Sequence, residues 1–254
     1  MNAKVIEMIG PPGIGKTALY EFLCARWSPQ LSWTCQEELL IPKPGIEDFK
    51  GWLGYNARKW LGKRLNKHIS SDFGRRFINN HIDLCTFLWN LISGPGVYTN
   101  QELDMRYRTA NNLFLDFCRY QAILEKSSEK PCLICEGFLQ KSFLVQVNEE
   151  SRQEVVQNYI KLLPLPYAVI YMNTHKSDII VERLLARKKM IASQVGMDYQ
   201  MLMEDIRKWS ATLELVTSSL HSYNVPVYYI DGANPIQENA VIVQGLLESN
   251  KVLV

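Results

Sequence analysis

The chain has 254 residues, with 28 Lys and Arg against 26 Asp and Glu and a formal net charge of +2. That balance supplies no whole-chain basic field for nucleic acid, so any anion must be met locally. The length suits one α/β domain with an insertion; the N-terminal apolar run is too short for a signal peptide, and the uncharged stretch Leu84–Gln101 is broken by Ser93-Gly-Pro-Gly96. A cytoplasmic protein with neither membrane nor nucleic-acid partner is expected.

The first predicted element is a strand, Lys4–Ile9, which runs into Gly10-Pro11-Pro12-Gly13-Ile14-Gly15-Lys16-Thr17. This satisfies G-x-x-x-x-G-K-[ST], the phosphate-binding loop, and a helical pattern follows to Trp27. Backbone amides can wrap a phosphate only where no Cβ blocks the approach, and the helix start adds partial positive charge. The nucleotide-binding set is therefore Gly10, Pro11, Pro12, Gly13, Ile14, Gly15, Lys16, Thr17 and Ala18. Lys16 is expected to reach the β- and γ-phosphates of ATP, and the Thr17 hydroxyl to bind Mg²⁺.

A second strand is predicted over Trp33–Leu40, carrying Glu37 and Glu38. One of them is a candidate general base, since adjacent strand positions point oppositely. A long helical stretch, about 45–127, separates it from the third strand. Trp52, Leu53, Trp60, Leu61 and Leu65 supply its apolar positions, while Lys59, Lys63 and Lys67 recur every four residues. Lys43 to Arg76 holds nine basic and three acidic residues, an excess of six, which suits either an anionic acceptor or a solvated face. Arg75, Arg76, Arg106 and Arg108 are further candidates for an anion.

The third strand, Cys132–Cys135, ends in Glu136-Gly137. A carboxylate there, beside the phosphate loop, can hold Mg²⁺ or orient the attacking group. The six cysteines show no secreted framework, and within a strand Cys132 and Cys135 point to opposite faces and cannot share a metal.

The fourth strand, Tyr167–Met172, leads to His175-Lys-Ser-Asp178, one residue from a guanine-reading element. The partner motif DxxG occurs only at Asp48–Gly51, behind no apolar strand, so a helix starting near Asp178 is the better reading. Arg183 and Arg187 then share one face and suit the oxygens of a phosphoryl group in transfer. The fifth strand is Val225–Ile230, and its helix closes the chain.

In this order of motifs (GPPGIGKT, QEELL, CLICEGF, VERLLARKK and VYYIDGANPIQENAVIVQGLLE) the sequence resembles the P-loop kinases of nucleosides, nucleotides and other small metabolites, among them thymidylate, deoxynucleoside and uridine kinases. The resemblance implies a single three-layer α/β domain, residues 1–254, with a five-stranded parallel sheet in the order 2-3-1-4-5. It also implies a helical substrate-binding insertion between strands 2 and 3, adenine against the loop around Asp231 to Asn234, and a lid over about 183–205 whose arginines are Arg183 and Arg187. Glu136-Gly137 replaces the aspartate–arginine pair of the thymidylate and deoxynucleoside enzymes, and Lys188 stands where a lid glycine is usual. The expected activity is ATP- and Mg²⁺-dependent transfer of the γ-phosphoryl group to a small metabolite, by Lys16, Glu136, Arg183, Arg187 and either Glu37 or Glu38. The alternative is a nucleotide-dependent switch acting on a protein partner.

Overall fold

The computed structural model describes residues 4–40, 44–45, 47–60, 69–93, 103–126, 130–145, 149–187 and 194–249. At its centre is a sheet of five parallel strands: β1 (Val5–Ile9), β2 (Thr34–Cys35), β3 (Cys132–Cys135), β4 (Ala168–Asn173) and β5 (Val227–Asp231). Their spatial order is β2-β3-β1-β4-β5, the order implied by the resemblance. β1 pairs with β3 from Val5–Cys132 to Met8–Cys135, and with β4 from Ile6–Ala168 to Ile9–Tyr171. The described helices are α1 (Lys16–Ala25), α2 (Gln36–Leu40), α3 (Phe49–Trp60), α4 (Ser71–Asn80), α5 (Ile82–Ser93), α6 (Leu103–Lys126), α7 (Glu149–Leu162), α8 (Ser177–Leu185), α9 (Tyr199–Leu220) and α10 (Ile236–Glu248).

Parallel strands joined by helical crossovers need both sheet faces covered, which makes three layers. Ile6 and Met8 of β1 face a core with Leu19 and Leu23 of α1, Ile180 and Leu184 of α8, and Val243 of α10. Val5 and Ile9, on the alternate face, join Phe77 of α4, Leu88 of α5, Phe117 of α6, Tyr159 of α7 and Val216 of α9. The period of two also divides the CxxC pair, Cys132 lying in one core and Cys135 against the other.

β2 is shorter than the expected Trp33–Leu40. Only Thr34 and Cys35 pair with β3, after which Gln36–Leu40 winds into α2. Gln-Glu-Glu-Leu-Leu consists of strong helix formers, and two acids in the first turn complement the helix dipole. Glu37 and Glu38 are therefore spaced as helix neighbours, and strand alternation does not separate them.

Helices α3 to α6 fill the interval between β2 and β3. The long α6 buries Leu113, Phe117 and Tyr120, and Phe77 stacks on Phe117 at 4.9 Å and on Phe138 at 5.0 Å. α3 behaves differently: two of its apolar positions, Trp52 and Leu53, are 39% and 54% exposed. Lys43, Leu61, Lys63, Leu65 and Lys67 lie outside the described residues, as do the side chains of Lys59 and Trp60. Arg75, Arg76 and Arg108 form surface ion pairs with Asp72, Glu125 and Asp104, and Arg106 donates to the Ser93 carbonyl. No described helix is long and apolar enough to cross a membrane.

Candidate active site

The loop between β1 and α1 is shaped by its glycines. A Cβ on Gly10 would run into the Met172 carbonyl oxygen, and Gly15 holds φ 108°, a left-handed conformation, with open space where a side chain would be. Gly15 is the cap of α1 and offers no side-chain oxygen, so the first-turn amides are left for an anion. Lys16 is buried, its Nζ donating to the carbonyls of Gly10 at 2.6 Å and Pro11 at 3.1 Å. Burial lowers its ammonium below the usual lysine value; Glu136 and Cys135 pull the other way, and Arg187 adds to the lowering. Lys16, Glu136 and Arg187 thus share one electrostatic neighbourhood.

Glu136 ends β3 in a backbone conformation rare for a side-chain-bearing residue, φ 69°, with its carboxylate exposed. Burial raises the Cys135 thiol and Thr17 opposes that rise, which puts Thr17 beside the residue that precedes Glu136.

Arg183 and Arg187 do not share a helix face. The helix stops at Leu185: the N–H of Ala186, its cap, donates to Glu182 at 3.0 Å, and Arg187 follows beyond it. Arg183 is fixed elsewhere, Nη1 donating to Ile14 O at 3.1 Å and to Gly232 O at 2.7 Å, which ties the phosphate loop to the turn after β5. Of the lid expected over 183–205, residues 188–193, Lys188 included, lie outside the described residues.

Sequence reasoning missed a clasp beneath the loop. Glu7, in the middle of β1, is 1% exposed and faces the core that receives Val5 and Ile9. Its Oε1 accepts from the Gln140 N–H at 2.9 Å and its Oε2 from the Leu139 N–H at 3.2 Å. Burial pushes this carboxyl up to about 7, opposed by those N–H groups and by Lys141. Gly137 is the residue that leaves room for it, since a Cβ there would lie 2.6 Å from the Glu7 carboxyl carbon. Gln140 in turn grips Gly10 twice, accepting its N–H at 2.9 Å and donating Nε2 to its carbonyl at 3.0 Å. Glu7, Gln140, Gly10 and Lys16 form one hydrogen-bonded chain. The available sequence signal was a single carboxylate inside the apolar run Val5-Ile-Glu-Met-Ile9.

Two concavities flank the loop. On one side a cavity of about 210 Å³ is lined by Ile14, Ala18, Arg183, Gly232, Asn234 and Asn239. Asn239 donates Nδ2 to Asp231 O at 2.9 Å and leaves a buried Oδ1 without a partner among the described residues. On the other side a narrow cleft is lined by Gln36, Asp116, Arg119, Tyr120, Glu136 and Phe138. Asp116 pairs with Arg119 at 3.1 Å and Lys141 at 2.9 Å.

Glu37 and Glu38 diverge. Glu37 accepts from the Tyr20 hydroxyl at 2.5 Å, while Glu38 raises the Tyr55 phenol of α3 together with burial, the larger cause.

No protein-family profile matches the sequence, and no curated protein is detectably similar to it. Among solved structures the chain is similar in fold to P-loop small-molecule kinases. One is the shikimate kinase of Bacteroides thetaiotaomicron, at TM-score 0.43 and 11% identity, covering 98% of this chain and 100% of that one. Another is the deoxyadenosine kinase of M. mycoides with bound dATP, at 0.43 and 10%, covering 97% and 100%; the same enzyme with dCTP gives 0.42 and 12%, covering 95% and 97%.

Proposed function

We propose that this chain is an ATP-dependent phosphotransferase that moves the γ-phosphoryl group to a hydroxyl or phosphate of a small metabolite. The reading is supported by the phosphate loop itself, with Lys16 Nζ held on the carbonyls of Gly10 and Pro11, by the base-sized cavity lined by Ile14, Arg183 and Asn239, and by the narrow cleft beside Glu136. The loop amides and the start of α1 would hold the polyphosphate, and Lys16 would exchange its bonds to Gly10 O and Pro11 O for phosphate oxygens. The adenine would occupy the cavity by Arg183 and Asn239, where the unpartnered Oδ1 suits the exocyclic amine of adenine better than the carbonyl of guanine.

Thr17 and Glu136 are the residues that would hold Mg²⁺, which would supply positive charge to offset the negative charge of the phosphates. Glu136 is also the carboxylate shared between the loop and the acceptor cleft, and we assign it the orientation of the acceptor. Glu37 is engaged by Tyr20, and Glu38 lies toward Tyr55. Arg187 would stabilise charge on the moving phosphoryl group, whereas Arg183 holds the nucleotide cavity in shape. Arg119, beside Asp116, would meet an acceptor that is anionic or rich in hydroxyls.

The test is to incubate the protein with ATP and Mg²⁺ against nucleosides, nucleotides, sugars and hydroxy acids, reading phosphorylated product by mass. One class should be phosphorylated by the wild type and not by Lys16→Ala. Slow hydrolysis that responds only to a protein would replace the kinase with the switch.

A further inference from the structure

We propose a second binding site, separate from nucleotide chemistry: Cys24, Cys35 and Glu37 together form a site for a thiophilic divalent cation, zinc in the first instance. Cys24 comes from α1, Cys35 from β2 and Glu37 from α2, and their ligand atoms lie within 4.8 Å of one another. The two sulfurs therefore lie within 4.8 Å of each other. Zinc binds sulfur at about 2.3 Å and carboxylate oxygen at about 2.0–2.2 Å, which sets tetrahedral neighbours about 3.5 Å apart. The three donors need only a small closure to reach that spacing. Two sulfurs and one oxygen choose zinc over magnesium, so this site does not compete for the ion that Thr17 and Glu136 would hold.

What sets the cluster apart from ordinary core thiols is the shell around it. The buried Tyr20 donates its hydroxyl to Glu37 Oε2 at 2.5 Å while accepting the Gln36 N–H at 3.1 Å, which fixes the direction of the carboxylate. Outer contacts of this kind orient metal ligands. Exposure rises in steps from buried Cys35 through half-buried Cys24 to exposed Glu37. A cation can therefore enter from the Glu37 side and keep a water as fourth ligand. On binding, each sulfur gives a lone pair to the cation and releases its proton to solvent, Glu37 gives one oxygen, and no electron changes hands. The bound ion links α1, β2 and α2.

Cobalt added to the reduced protein should give one tetrahedral ion per chain, with sulfur-to-cobalt charge-transfer absorption that zinc abolishes. Cys35→Ser should remove that band, and Cys85→Ser should keep it. Tyr20→Phe should weaken zinc binding about 10- to 100-fold. Should Cys35→Ser fail to fold, the wild type still decides the matter by alkylation and peptide mapping. Zinc should protect Cys24 and Cys35 and leave Cys85 reactive. Absence of the charge-transfer band, or equal labelling of Cys24 with and without zinc, overturns the site. Metal binding is read directly, so an inactive phosphotransferase leaves this proposal standing, and an empty metal site leaves the phosphotransferase standing.

Discussion

The two sides of the proposed site are built differently. On the proposed reading the phosphate-binding part of the nucleotide side is one continuous segment, Gly10 to Thr17, whose binding groups would be backbone amides and a single lysine held by its own loop. The acceptor side would be gathered from Gln36 of α2, Asp116 and Arg119 of α6, and Glu136 after β3, residues up to 100 positions apart that line one narrow cleft. A backbone-made site tolerates many neighbours, so its chemistry is fixed early. A side-chain-made site can be changed one residue at a time, so acceptor choice would reside there.

The contrast breaks most visibly at Lys16. Lys16→Ala should lower turnover on the acceptor found by screening by about 100- to 1,000-fold or more, because a preorganised charge at the transferring group is lost, while circular dichroism stays unchanged. Retained turnover would dissolve the distinction between the two sides. Arg119→Ala should come next, lowering kcat/KM for the acceptor about 10- to 100-fold through KM, with the KM for ATP unmoved. An equal effect on both substrates would place Arg119 outside the acceptor cleft.

The clasp joins the two sides, and it titrates. Because the Glu7 carboxyl stands at about 7 against an ordinary 4.5, the folded chain binds the extra proton between those values. Stability should therefore fall by about 3 kcal/mol as pH rises from about 4.5 to about 7, then level off. Glu7→Gln should flatten that slope and cost about 1–3 kcal/mol, since one amide cannot accept from both Leu139 and Gln140. Urea melts across this range check both, and an unchanged slope in the variant would remove Glu7 as its source. The smallest expected effect is at Asn239: Asn239→Ala should narrow the preference for ATP over GTP about tenfold, measured by competition.

How much of this was legible follows the same division. GPPGIGKT spells out a loop because amide exposure demands glycines at set positions, and β1, β3 and β4 read as short apolar runs because both sheet faces are covered there. QEELL misled because strand and helix compete over so short an apolar run, and helix propensity won once pairing with β3 ended at Cys35. Arg187 was placed on a helix face that the cap at Ala186 had already closed. Gln140 carried no signal at all, since its role depends on Glu7, 133 positions away, holding the turn that presents it to Gly10.

Calorimetric titration of a non-hydrolysable ATP analogue with Mg²⁺ into wild type and Lys16→Ala tests most directly whether the loop grips a polyphosphate. Saturable binding at one site, weakened about 100-fold or more in the variant, is the predicted result. Equal affinity in the two proteins, or no saturable binding by the wild type, would contradict it.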